Sequence, residues 1–255
     1  MKLFTYATSP YARKVRMALD YKRVSYEPLE RCYSLDRKED LRCAAPRAEV
    51  PTLVLDDGRT ITDSTIISEY LEEVYREPAL YPKDPYQRAR MRTIEELCDR
   101  AFDAAGYGFW IAVLREAAPE AKAMKAAATR ELAELLKVLE RELGGQDFFC
   151  GKLSIADLAA ICYVPGAASM GVDLTQTPRL RQWVQRMRAV AAVAADLQRL
   201  AEAVARMSIT AELEGPDGRV HWRDSRLEWP IRHGFIDFVA REFHAGKMMF
   251  PPDAS

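Results

Sequence analysis

Ser9-Pro10-Tyr11-Ala12-Arg13-Lys14-Val15-Arg16 follows closely on a short apolar run, Leu3-Phe4-Thr5-Tyr6, near the start of a 255-residue chain. The apolar run reads as a strand. Pro10 suits the first position of a helix, where its missing N–H removes no intrahelical bond. Ser9 before it is a natural N-cap. Val15, Ala18 and Leu19 then recur at helical spacing. A strand that passes straight into a helix announces an α/β unit.

The neighbouring segments extend that unit. Val24 to Leu29 reads as a second strand, with Pro28 limiting it to an edge or an end. Val50-Pro51 opens the run Thr52-Leu53-Val54-Leu55. The turn Asp56-Asp57-Gly58 and the run Thr60-Ile61-Thr62 complete a hairpin. Asp63-Ser64 opens a helix whose expected buried face is Ile66, Ile67, Tyr70, Leu71 and Val74. The order strand, helix, strand, helix, hairpin, helix implies a small α/β domain with a mixed sheet over residues 1–80.

Pro78, Pro82 and Pro85 then mark a linker, and the texture changes. Residues 86–207 are rich in Ala, Leu, Arg and Glu and predict an all-α domain. A long helix is expected from Tyr86 to about Glu116, bent near Gly106 and Gly108. A second is expected from Pro119 to Leu143, ended by Gly144-Gly145, and a third from Ser154 to just before Pro165. Two shorter helices follow Pro178 and Ala192. Residues 208–255 form a C-terminal extension, with a hairpin expected over Ile209 to Trp222 and an amphipathic helix over Trp229 to His244.

Composition excludes several function classes. Charged residues are 29% of the chain but the net charge is −1, which disfavours nucleic acid or an anionic membrane as partner. The five cysteines are odd in number and widely spaced, so neither a disulfide framework nor a zinc site is indicated, and a cytoplasmic, reducing setting is expected. His221, His233 and His244 do not have metal-ligand spacing, and no metal is expected. The sequence carries no evident signal peptide or membrane-spanning run.

Four motifs together resemble the cytosolic glutathione transferases of the serine type. Ser9 to Arg16 is similar to their catalytic motif. Glu49-Val50-Pro51-Thr52-Leu53 resembles the segment with their cis-proline. Asp63-Ser64-Thr65-Ile66-Ile67 resembles their acid-serine motif. Gly151-Lys152-Leu153-Ser154-Ile155-Ala156-Asp157 is similar to the capping box of a central helix in their second domain. The resemblance covers about residues 1–207. It implies a thioredoxin-like glutathione-binding domain, an all-helical second domain and a homodimer. It also implies a glutathione co-substrate whose thiolate attacks a small hydrophobic electrophile. Conjugation, isomerisation, dehalogenation and ether cleavage are all open.

The resemblance also assigns roles. Ser9 becomes the hydrogen-bond donor to the thiolate, with Tyr6 or Tyr11 as the other hydroxyls able to do so. A thiol starts near pKa ~8.5, and lowering that by about two units needs only ~2.7 kcal/mol of preferential stabilisation of the anion. Val50 would pair with the cysteinyl backbone, beside a cis Pro51. Asp63 would meet the γ-glutamyl ammonium and Ser64 its carboxylate. Tyr11, Tyr107 and Trp110 are candidates for lining the electrophile pocket between the domains. Plain structural readings stand beside these: Ser9 as an N-cap, Asp63-Ser64 as a capping pair, the aromatics as core. One departure is marked. Family members often have Lys or Gln before the Val-Pro pair, helping to hold the glycyl carboxylate, whereas this chain has Glu49. Arg37, Lys38, Arg42 and Arg47 are the nearby cations. The alternative function is a non-catalytic binding protein on the same fold.

Overall fold

The computed structural model describes residues 1–30, 41, 44–45, 47–206, 213–214 and 217–250. Arg37, Lys38, Arg42, Cys32 and Cys43 lie outside the described residues, as does much of the segment expected to form the late hairpin.

Four strands, β1 (Lys2–Thr5), β2 (Glu27–Glu30), β3 (Thr52–Val54) and β4 (Thr60–Thr62), form one sheet in the order β2-β1-β3-β4. β2 runs parallel to β1, while β3 and β4 form antiparallel pairs. Because side chains alternate along a strand, Leu3 and Leu53 point to one face. There they meet Val15 and Leu19 of α1 (Pro10–Tyr21) and Ile67 and Leu71 of α2 (Ser64–Val74), all fully buried. Phe4 points to the other face, into a smaller cluster with Tyr6, Leu41, Ala45, Ala48 and Val50.

Two expectations are corrected here. β2 begins at Glu27 rather than Val24, because the Val24 amide still bonds back to the Leu19 carbonyl at 2.9 Å and closes α1. Ile66 and Val74 are 56% and 50% exposed: α2 buries the stripe Ser64, Ile67, Ser68 and Leu71, so these two residues stand outside the packed face.

The helical part holds α3 (Pro85–Leu97), a wide π-helical turn at Cys98–Phe102, and α4 (Asp103–Leu114) in one continuous run. The irregularity thus falls at residues 98–102 and not at the glycines. Gly108 has a different reason: a Cβ there would stand 2.5 Å from the ring of Trp229. α5 (Ala121–Leu143) packs along α4. α6 (Ile155–Ala160) and α7 (Val164–Ala167) replace the single expected helix. Amides of Cys162 and Tyr163 bond three residues back instead of four, and the coil tightens and stops before Pro165. α8 (Pro178–Arg188) and α9 (Ala191–Val204) follow.

Asp157 anchors this part. It closes a capping box with Ser154 and also accepts from the Phe149 amide at 3.1 Å and from Trp183 Nε1 at 2.9 Å. Four donors around one buried carboxylate tie α6 to α8 and to the loop before it.

The C-terminal extension is part of the same core. Its strand β5 (Val220–His221) pairs in parallel with β6 (Met248–Met249), and Glu214 makes an antiparallel bridge to Val220. The helix expected over 229–244 is two helices, α10 (Asp224–Arg232) and α11 (Ile236–His244), separated where Gly234 takes a positive φ of 81°. Trp222 and Trp229 are each 1% exposed and pack within the main hydrophobic cluster. No helix among the described residues is long and apolar enough to cross a membrane.

Candidate active site

Register brings three chain segments to one end of the sheet. Phe4 stands opposite Thr52 and Thr52 opposite Thr62. The exit of β1, the entry of β3 and the exit of β4 therefore share one edge. Ser9, Val50-Pro51 and Asp63-Ser64 follow or precede those points directly.

Ser9 caps α1. Its Oγ accepts from the Ala12 amide at 3.4 Å, and its carbonyl accepts from the Arg13 amide at 2.9 Å. A hydroxyl keeps one hydrogen to donate when its oxygen accepts. No group among the described residues takes that hydrogen. The loop that carries Ser9 is held by Arg16, which donates to the Tyr6 and Ala7 carbonyls at 3.0 Å each and to Thr5 Oγ1 at 2.8 Å. Arg16 and Arg13 both also grip Asp196 of α9, each at 2.8 Å. All three charged groups are nearly inaccessible to water.

Asp63 caps α2 through Oδ1, which accepts from the amides of Thr65 (2.8 Å) and Ile66 (3.2 Å). Its φ of 73° is uncommon for a residue with a side chain. Such strain collects at functional positions. Ser64 is buried at the first turn, where helix amides favour an anion. Thr65 Oγ1 donates to Glu95 at 3.0 Å, and Glu95 meets Lys14 at 2.6 Å. Lys14 also contacts Asp99 at 2.5 Å. Burial works against the Lys14 charge, but Asp99 and Glu95 outweigh it and push its pKa up.

Val50-Pro51 is a cis peptide, placed just beyond the last β1–β3 pair. Before it, Glu49 takes Arg47 Nε on Oε2 and Arg223 Nη1 on Oε1, both at 3.0 Å. Arg223 comes from the extension and lies 4.7 Å over the ring of Tyr11.

The aromatic candidates fall close to the extension. The Tyr11 hydroxyl donates to the Asp99 carbonyl at 2.8 Å, in the π-helical turn, and burial raises its pKa far above the usual phenol value. That hydroxyl is committed to the helix. Tyr6 is buried in the smaller cluster under the sheet. The Tyr107 hydroxyl donates to the His221 carbonyl. Its ring sits under Arg226 at 4.3 Å and edge-on to Trp222 at 5.7 Å. Arg226 in turn makes a two-pronged pair with Asp103 at 2.6 and 2.8 Å. Trp110 is half-buried and packs edge-on against Phe109. Two of the histidines pack within the extension's contacts: His221 in β5 and His233 against Glu131. No group of His, Cys, Asp and Glu among the described residues is arranged to hold a metal ion.

Comparison with known proteins identifies the family. Residues 3–79 match the family model for the glutathione S-transferase N-terminal domain, and residues 102–190 match that for its C-terminal domain. Glutathione S-transferase U6 of Arabidopsis thaliana is 31% identical over 203 residues, covering 74% of this chain and 85% of the plant protein. The chain belongs to the glutathione S-transferase family. Among solved structures, a glutathione S-transferase of Methylobacterium radiotolerans in complex with glutathione sulfonate is 28% identical with a TM-score of 0.67. That match covers 76% of this chain and 93% of the bacterial one. A Tau class glutathione S-transferase of mango is equally similar, at 28% and 0.67, covering 81% and 98%. The fold of this glutathione S-transferase is thus a thioredoxin-like α/β part followed by a helical part.

Three features around the candidate site escape a reading of motifs. The first is the buried charge network of Arg13, Lys14 and Arg16. Helical spacing carried no signal of it, since with Val15 and Leu19 inside all three cations fall off the buried face, where water is the ordinary expectation. The second is Thr65, which links α2 to that network. The third is Arg223, which lies 174 residues from its partner Glu49 and has no local signal at all.

Proposed function

We propose that this glutathione S-transferase binds glutathione across the sheet edge and directs its thiolate at a small hydrophobic electrophile. In this serine-type reading, Ser64 and the start of α2 take the γ-glutamyl carboxylate and Asp63 takes the ammonium. Val50 pairs with the cysteinyl backbone, and Ser9 donates its hydroxyl hydrogen to the thiolate. The sulfur lone pair forms the new S–C bond while the electrophile's leaving group departs with the bonding pair. Where the acceptor is a polarised double bond instead, the pair moves onto it and water or solvent supplies the proton.

The observation that carries the reading is the state of Ser9. Its oxygen is held by the helix amide, its hydrogen faces no acceptor among the described residues, and the start of α1 favours negative charge beside it. Arg16 keeps the loop in that shape. The thiolate absorbance of bound glutathione, titrated against pH, tests the reading. In wild type it should appear well below the ordinary thiol range, and Ser9→Ala should lose it. Binding without a Ser9-dependent thiolate would leave the second reading, a non-catalytic binding protein. The packing of Trp222, Arg223 and Arg226 over Tyr11 and Tyr107, where an electrophile would enter, favours that second reading. The resemblance further implies a cytoplasmic homodimer, which sedimentation at micromolar concentration would check.

A further inference from the structure

The far end of the bound tripeptide can be traced from the register, given the proposed function on which this inference rests. Thr52 faces Thr62, so Ser64 lies abreast of the start of β3. A ligand with one carboxylate on Ser64 and its middle residue on Val50 continues away from α2, out past Glu49. That far end carries a second carboxylate, and the side chain it meets first is an acid. Glu49 is nonetheless neutralised, by Arg47 on one oxygen and Arg223 on the other, each at 3.0 Å.

The two arginines differ in kind. Arg47 is half exposed, with its side chain at 52%, and its other contact is a 3.9 Å approach to Asp224. The Arg223 side chain is 20% exposed and is held in place from both sides. Its neighbour Trp222 is buried, and the Trp222 amide donates to the Met249 carbonyl at 2.7 Å. Arg226, one turn on, is fixed by Asp103. Stacking on Tyr11 sets the plane of the guanidinium. Five N–H donors in a rigid fork let one guanidinium bridge two carboxylates.

We propose that Arg223, delivered by the C-terminal extension, binds the glycyl carboxylate of glutathione, with Glu49 as the acid that competes for its guanidinium. The binding site is then built from both ends of the chain, and the extension determines which thiol is accepted.

The test is calorimetric titration of the full chain with glutathione and with its glycyl monoethyl ester, which keeps every other group. Wild type should bind glutathione about 10-fold more tightly than the ester. Arg223→Ala should weaken glutathione by about 10-fold and the ester by less than about 2-fold, closing the gap. Arg47→Ala should keep most of the gap. Glu49→Gln, which leaves the arginine in place, should tighten glutathione and not the ester. It decides the matter if Arg223→Ala fails to fold by circular dichroism. An unchanged gap in Arg223→Ala, or equal effects of Glu49→Gln on both ligands, would overturn the proposal. Wild type binding both ligands equally would overturn it while leaving the proposed function standing. Wild type binding neither would overturn both.

Discussion

Ser9 has an observed role as a helix cap and a proposed one as thiolate donor, and the two separate on substitution. As a cap it holds the Ala12 amide at a long 3.4 Å, so its loss costs little, about 0.5–1 kcal/mol of stability. As a donor to a thiolate it resembles an oxyanion-hole group, whose removal typically costs about 10²–10³ in turnover. Ser9→Ala should therefore melt within a few degrees of wild type while losing most activity. Because the hydroxyl favours the anion, its removal should raise the pKa of bound glutathione, which a pH titration of thiolate absorbance would show. The cysteines offer a control at the same scale. Burial pushes the Cys162 thiol up to about 12 and Cys98 well above its usual value. Both should resist iodoacetamide in the native protein at pH 8 and react only on unfolding, as peptide mass mapping would reveal.

At the scale of the element, α1 is an unusual helix. Its apolar residues were readable at helical spacing, and Ser9 and Pro10 marked its start. Its three buried cations were not, because each is satisfied by an acid far along the chain: Asp196 for Arg13 and Arg16, Glu95 and Asp99 for Lys14. A buried pair broken on one side leaves an uncompensated charge, at a cost of about 3–5 kcal/mol. Lys14→Met should approach that cost in chemical denaturation. The double variant Lys14→Met with Glu95→Gln should recover part of it, which a double-mutant cycle would measure. Arg16→Met should cost stability and also free the Tyr6 and Ala7 carbonyls, so it should lower activity beyond its effect on folding. Two of the element boundaries that differed from the sequence reading share one cause. Backbone hydrogen bonds decide where a coil closes, as at Val24 and at Cys162–Tyr163, and these bonds depend on φ and ψ rather than on side-chain type.

For the whole molecule, the extension is the main departure from what local pattern could show. Gly108 lies mid-helix, where a bend was expected, but its role is to admit the Trp229 ring. Gly108→Ala would place a methyl 2.5 Å from that ring, and overpacking of this kind costs about 1–3 kcal/mol. The cost should fall on the extension: tryptophan fluorescence should shift to the red and proteolysis should quicken within residues 217–250, with the rest of the fold retained. Trp229 also donates to Glu131 at 2.6 Å, as His233 and Arg232 approach the same carboxylate at 2.7 Å. Glu131→Ala should loosen the same region by a route that leaves the Gly108 notch untouched.

What the sequence determined by itself is the α/β start, the helical second part and the three motifs at one sheet edge. Those follow from side-chain period, from proline and serine at helix starts, and from short-range order, all of which act between near neighbours in the chain. Only the tertiary structure decided which charges meet inside α1 and where the extension packs. It alone placed Arg223 against Glu49. Those contacts join residues more than eighty positions apart, and their partners are chosen by packing and by the cost of burying a charge alone, neither of which leaves a local pattern to read.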